Sequence, residues 1–187
     1  MFTLGTGLGS GIVANGEVVY GHDGYAGEIG HALVNVFGRK CGCGRKGCLE
    51  TYVSATGIVR TVYKLLADYT EESELRNISY GNLTAKMITE AALRNDKIAV
   101  RAFEYTGRIL GMKLADTVVH FSPEAIFLFG GLVHAGDLLM KPAKFHMEDN
   151  MMRNFKGKVK LLPSGLMDKN AAVLGASSLA WNALEKE

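Results

Sequence analysis

The sequence predicts an α/β layered fold on three observations. Ala125–Phe129 is a short apolar run of strand length, closed by Gly130-Gly131. Helical periodicities with capping residues precede it, and an alternating segment followed by another helical stretch comes after it. Strands alternating with helices late in a chain are the pattern of layered α/β packing. A chain of 187 residues is long enough for one domain with a real core. Apolar residues make up 48% and charged residues 21%, the composition of a globular protein. The net charge of +2 is too small to be a nucleic-acid footprint. No apolar run reaches the roughly 18 residues that a membrane helix needs, and Met1 leads straight into a Gly-rich loop without a signal peptide pattern. A cytoplasmic location with no membrane partner is the expectation.

Residues 2–36 read as short strands joined by tight turns. Ile12, Val13 and Ala14, then Val18, Val19 and Tyr20, flank Asn15-Gly16, a hairpin signal. Residues 37–50 hold four glycines and all three cysteines, too irregular for either period. Val53, Ile58, Val62, Leu65 and Leu66 are spaced for a helix over 51–69, and the polar stretch 70–83 reads as a loop. Thr84 is placed to cap a helix running to about Asn95. Asp96 is placed to cap the next, which ends before Ser122-Pro123. Ala125–Phe129 is expected to be a buried strand. A helix is predicted over 142–154 with Pro142 in its first turn, a strand over 158–162, and a final Ala-rich helix over 170–186.

Cys41, Cys43 and Cys48 lie within eight positions, in the order C-G-C-G-R-K-G-C. The intervening glycines let the backbone fold tightly and aim several thiolates at one point. Three sulfurs leave one position of a tetrahedral zinc site to fill, and His31 and His22 are the candidates. The competing reading, a disulfide plus one free thiol, is disfavoured in a reducing compartment. Arg39, Lys40, Arg45 and Lys46 surround the cluster. They either form a nucleic-acid patch or stay solvated and offset thiolate charge. With a single such module and little aromatic interleaving, the solvated role is preferred.

Four stretches together resemble the ROK family of bacterial sugar kinases and sugar-responsive repressors. They are Leu4-Gly5-Thr6-Gly7-Leu8-Gly9-Ser10-Gly11, Ala26-Gly27-Glu28-Ile29-Gly30-His31, the Cys41 to Glu50 segment, and Phe129-Gly130-Gly131. The likeness extends to the final helix with Asn170, Gly175 and Ala176. It implies an actin-like ATPase (ribonuclease H-like) architecture, in which two α/β domains close on ATP and a sugar. This chain corresponds to the C-terminal domain, with an inserted zinc-binding loop in a region of about 22–56. The family's other domain supplies a D-x-G-G-T phosphate loop and an Asn-Asp pair whose Asp is the general base. No D-x-G-G-T occurs here, and Only Phe2, Thr3 and Leu4 precede Gly5, so an N-terminal piece is expected to lie outside the chain. Asn95-Asp96 falls after the cysteines, where it reads as a helix cap, and no catalytic residue is assigned.

The resemblance also implies residue roles. Gly5, Thr6, Gly7 and Gly9 correspond to a second phosphate loop, although an ordinary Gly-rich hairpin would look the same. Gly130 and Gly131 correspond to the adenosine seat; a simple helix-entry turn is the alternative. Glu28, His31 and Glu50 correspond to the sugar contacts, since carboxylates accept hydrogen bonds from ring hydroxyls. The plainer alternative for Glu28 and Glu50 is a solvated or helix-terminal carboxylate. His31 with Cys41, Cys43 and Cys48 would hold a structural zinc, His31 also reaching the sugar through its second ring nitrogen. His22, His120, His134 and His146 take no role. The implied function is an ATP- and Mg²⁺-dependent hexose or N-acyl-hexosamine kinase of the glucokinase type. The competing functions are a sugar-sensing repressor domain, which alone would bring a nucleic-acid partner, and a bare zinc-stabilised remnant. Apolar helical faces within 84–121 suggest a homodimer.

Overall fold

A computed structural model describes residues 1–167 and 169–184. Its elements in chain order are β1 (Phe2–Leu4), β2 (Leu8–Ser10), β3 (Val13–Ala14), β4 (Glu17–Val18), α1 (Ala55–Asp68), α2 (Ala85–Leu93), α3 (Lys97–Phe121), β5 (Ala125–Phe129), α4 (Asp137–Asn150), β6 (Lys160–Pro163) and α5 (Ala171–Leu184). The predicted α/β class holds. The main sheet runs β2-β1-β5-β6, with β1, β5 and β6 parallel and β2 antiparallel on the edge. β3 and β4 form a separate hairpin, turned at Asn15 (φ 54°) and Gly16 (φ 82°), as the Asn-Gly pair demands.

The expectation of a fully buried β5 needs correction. Ile126 pairs with Leu161, and both enter the core with Phe2, Leu4 and Leu128. Their neighbours Phe127 and Leu162 pair on the opposite face and are 42% and 37% exposed. Period-two alternation puts one side of each strand against the helices and leaves the other uncovered by the described residues.

The helix caps behave as their residue types require. The Thr84 hydroxyl accepts from the Met87 amide, and the Asp96 carboxylate accepts from Ile98 and Ala99. α3 ends at Ser122, whose left-handed φ of 43° breaks the helix just before Pro123. Within 70–83 a short 3-10 turn, Glu74–Asn77, plugs Leu75 into the core.

α4 begins at Asp137, five residues earlier than the proline suggested, so Pro142 lies inside it. The reason is tertiary. α3 and α4 pack along each other, and Gly107 of α3 has no Cβ where the Pro142 ring rests. β6 starts two residues later than expected. α5 follows the predicted course, while residues 185 and 186 of that expectation lie outside the described residues. Most apolar positions of 84–121 are consumed by this chain's own core, including Ile98, Phe103, Leu110 and Leu114; Leu93, Met112, Val119 and Phe121 remain exposed. Among the described residues no helix is long and apolar enough to cross a membrane.

Candidate functional site

The cysteine segment has almost no regular structure, so its shape comes from individual bonds. The Cys41 amide donates to the Arg45 carbonyl (2.9 Å), and the Gly47 amide donates to the Arg39 carbonyl (2.8 Å). Isolated bridges pair Lys40 with Lys46 and Leu33 with Cys48. These contacts fold the loop back on itself and bring its two ends beside the 3-10 turn Ile29–His31. That turn is fixed in its own right: the Ser10 hydroxyl donates to the Gly27 carbonyl and accepts from the Ile29 amide.

Four donor atoms converge as a result. His31, Cys41, Cys43 and Cys48 place their ligand atoms within 4.8 Å of one another. His31 Nδ1 lies 3.6 Å from Cys41 Sγ, and Cys43 Sγ lies 3.7 Å from Cys48 Sγ. A tetrahedral zinc with ordinary bond lengths spaces its sulfurs about 3.8 Å apart and its nitrogen and sulfurs about 3.5 Å apart. The donor set therefore fits that ion in both identity and spacing. His22, the other histidine candidate, is exposed and pairs with Asp23 at 2.6 Å, outside the group.

The three thiols differ in how readily they ionise. Burial pushes the Cys41 thiol up to about 12, and burial also raises Cys48. The Arg45 amide, hydrogen-bonded to Cys43, holds that thiol below its ordinary value. A zinc ion bound by this set would favour the thiolate forms and release their protons.

Glu50 joins this cluster to the Gly-rich loop. Its Oε1 accepts from Cys41 Sγ at 3.3 Å, and its Oε2 accepts from the Leu8 amide at 3.2 Å. Gly7 has no Cβ because the Glu50 carboxylate occupies that space. The predicted phosphate loop and the predicted sugar acid are thus in direct contact. Glu28 is exposed, with Oε2 3.8 Å from His31 Nε2, so the imidazole faces the cysteines with one nitrogen and an acid with the other. A cleft of about 530 Å³ opens beside Glu28 and His31, walled on the far side by Thr117, His120 and Phe121 of α3.

Gly5, Thr6 and Gly7 form the turn between β1 and β2, and Gly9, the fourth predicted loop residue, lies inside β2 opposite Thr3. The Gly5 carbonyl accepts from the Ala55 amide (2.8 Å) and the Thr6 carbonyl from the Thr56 hydroxyl (2.9 Å), tying the turn to the start of α1. Gly130, at φ 104°, ends β5 against the Leu4 carbonyl, and Gly131 opens the following 3-10 turn. Because β1 and β5 are parallel neighbours, both glycine turns leave the same carboxyl edge of the sheet, the place where open α/β sheets bind ligands. Asn95-Asp96 is confirmed as a cap: Asp96 also accepts from the Glu74 amide, leaving it occupied on both oxygens.

The geometry can now be set beside known proteins. The family profile described as ROK family matches residues 1–183. The chain belongs to the ROK family. It is 42% identical over 150 residues to a glucokinase from Halalkalibacterium halodurans, a match covering 79% of this chain and 46% of that protein. It is 31% identical to the DNA-binding transcriptional dual regulator NagC of Escherichia coli, covering 95% of this chain and 42% of the regulator. Among solved structures, a ROK family glucokinase from Streptomyces griseus in complex with glucose and AMPPNP superposes with a TM-score of 0.80 at 32% identity, covering 88% of this chain and 55% of that one. The ROK chain described here spans about half the length of these relatives.

Some residues of the site had no role in the sequence pattern. The Leu8 amide carries no side-chain signal, and Ser10 looks like any loop serine. Arg39 was grouped with Lys40, Arg45 and Lys46 as a solvated charge. The other three are exposed, but the Arg39 guanidinium is half-buried and bonded to backbone. Its separation from Tyr52 and Thr61 in sequence hides the pocket that receives it.

Proposed function

We propose that this chain is the zinc- and sugar-binding part of an ATP-dependent hexose kinase of the glucokinase type. The observation that carries the reading is the Glu50 carboxylate, which accepts from the Leu8 amide and lies 3.3 Å from Cys41 Sγ, so that one acid stands between metal cluster and phosphate loop. Zinc on His31, Cys41, Cys43 and Cys48 is structural, with all four positions filled by protein. Glu28, His31 and Glu50 accept or share hydrogen bonds with sugar hydroxyls, each worth roughly 1.5–3 kcal/mol when a charged group takes part.

ATP with Mg²⁺ supplies the phosphoryl group and part of its charge neutralisation. The Gly7 amide and the Thr6 hydroxyl stabilise phosphate oxygens, with Gly5, whose amide donates to the Gly7 carbonyl at 3.0 Å, and Gly9 shaping the loop, and the turn at Gly130-Gly131 receives the nucleoside. In transfer, the sugar oxygen bonds to the γ-phosphorus as the β–γ bridging bond breaks, and the hydroxyl proton leaves to a base. The described residues offer no Asn-Asp pair free for that task, since Asp96 caps α3. By the family resemblance, the base is the Asp of an Asn-Asp pair on the family's other domain. A homodimer remains part of the proposal, on the exposed Met112, Val119 and Phe121 of α3.

Calorimetry of zinc-loaded protein with glucose, N-acetylglucosamine and N-acetylmannosamine tests the sugar site. Binding of one of them, lost in Glu50→Gln, is the expected result; silence with all three sinks it. Incubated with Mg-ATP and the binding sugar, the chain alone forms no sugar phosphate above a no-protein control. Product above that control would defeat the assignment of the base to another segment.

Similarity to NagC across 95% of the chain favours a second reading, a sugar sensor without transfer. AMPPNP titration separates the two, because the kinase reading requires nucleotide binding that weakens in Gly7→Ala. In the sensor reading, contact with DNA would come from a segment other than these residues.

A further inference from the structure

We propose that Arg39 is a positioning residue for Glu50, tying the root of the cysteine loop to the first turns of α1 through the backbone next to that acid. Its Nη1 donates to the Thr51 carbonyl (2.8 Å) and the Gly57 carbonyl (3.0 Å), and its Nη2 donates to the Thr61 hydroxyl (3.0 Å). The guanidinium carbon sits 4.5 Å from the Tyr52 ring centroid, and the Arg39 amide donates to the Tyr52 hydroxyl at 3.3 Å. On the loop side, the Arg39 carbonyl accepts from Gly47, the residue before Cys48.

The arrangement is unusual for a cation. None of the ion pairs among the described residues includes Arg39. Burial lowers its pKa, yet a guanidinium stays charged at neutral pH. A charge half-withdrawn from water without a counter-ion is costly unless its donors are matched. Here they are matched to two carbonyls and a hydroxyl, and the flat face is covered by a ring. A lysine cannot reproduce a planar fork and a stacked face together.

The acceptors explain what the arrangement does. Thr51 follows Glu50 directly, and Tyr52 comes next. Cys48 anchors Glu50 from the N-terminal side through the metal cluster, and Arg39 anchors it from the C-terminal side. The Ser54 hydroxyl, donating to the Glu50 carbonyl at 2.7 Å, closes the same turn. A carboxylate on a short 3-10 turn would otherwise swing away from Leu8 and Gly7.

The inference rests on the sugar role of Glu50, so the test separates the two. Zinc content, thermal midpoint, amide exchange and calorimetry with glucose, N-acetylglucosamine and N-acetylmannosamine are compared for the wild type, Arg39→Lys and Arg39→Met. The expected result is full zinc content and an unchanged midpoint in Arg39→Lys, with exchange at residues 49–53 and at Leu8 faster by about tenfold and binding of the wild type's sugar weaker by about tenfold, the loss of one charge-assisted hydrogen bond. Arg39→Met moves the same two readouts further. Exchange at 49–53 equal to the wild type overturns the proposal. So does faster exchange spread evenly through α1 and α3 with a lowered midpoint, which is what a purely structural arginine would give. If the wild type binds none of glucose, N-acetylglucosamine and N-acetylmannosamine, the sugar role of Glu50 fails, while the exchange at 49–53 still decides whether Arg39 positions that turn.

Discussion

The cysteine loop and the C-terminal helix are opposites. The loop, residues 38–50, is irregular, glycine-rich and exposed from Gly42 to Lys46, yet every functional atom in it is pinned by a named contact. α5 is fourteen residues of regular helix with no charged side chain, and every described side chain from Ala172 onward is exposed, Trp181 to 64%. Regular hydrogen bonding inside a segment does not place it in the molecule. Cross-links between distant residues do, and among the described residues the loop has hydrogen bonds to distant partners while α5 has none. A helix this apolar presents a surface that water disfavours, the kind that another protein surface covers.

Three perturbations would break or sharpen that contrast. The largest is removal of the metal. Binding free energy at a structural zinc is folding free energy, so chelation or Cys48→Ser is expected to lower the thermal midpoint by about 10 °C or more and to free residues 38–50 to exchange, with α5 unaffected. Scanning calorimetry with and without chelator checks it, and an unchanged midpoint would deny the loop its cross-link. Next come matched leucines. Leu110 of α3 is fully buried, whereas Leu179 of α5 is 49% exposed. Leu110→Ala is expected to cost about 3 kcal/mol and Leu179→Ala less than about 0.5 kcal/mol in urea unfolding. Equal costs would mean that α5 has a partner in solution. The smallest is Asp96→Ala, which removes the acceptor for Ile98 and Ala99 and is expected to cost about 1 kcal/mol in the same assay, leaving sugar and zinc binding intact. A loss of sugar binding there would return Asn95-Asp96 to the site.

Much of the fold was legible because its signals are local. Thr84 and Asp96 cap α2 and α3 through side chains that reach only two or three residues onward. Asn15-Gly16 turns its hairpin by backbone conformation alone. Ser122-Pro123 stops α3 within one residue. The start of α4 was not legible, because Pro142 signals a first turn unless a glycine on another helix makes room for its ring, and Gly107 is 35 positions away. The open face of β5 was hidden for a similar reason: Ala125–Phe129 is apolar throughout, and only its partners show which side is covered.

The site divides along the same line. Residue types and spacing gave the three cysteine donors, since thiolates at two- and five-residue intervals restrict the chemistry they can do, whereas the roles of the two glycine turns and of the three sugar-contact candidates came from the resemblance to the ROK family. The convergence of His31 with the three cysteines, the contact of Glu50 with Leu8 and Gly7, and the clamp of Arg39 on Thr51, Gly57 and Thr61 belong to the folded chain. Each depends on a distance between residues far apart in sequence, and a one-dimensional order of side chains carries no information about where a backbone amide or carbonyl will come to rest.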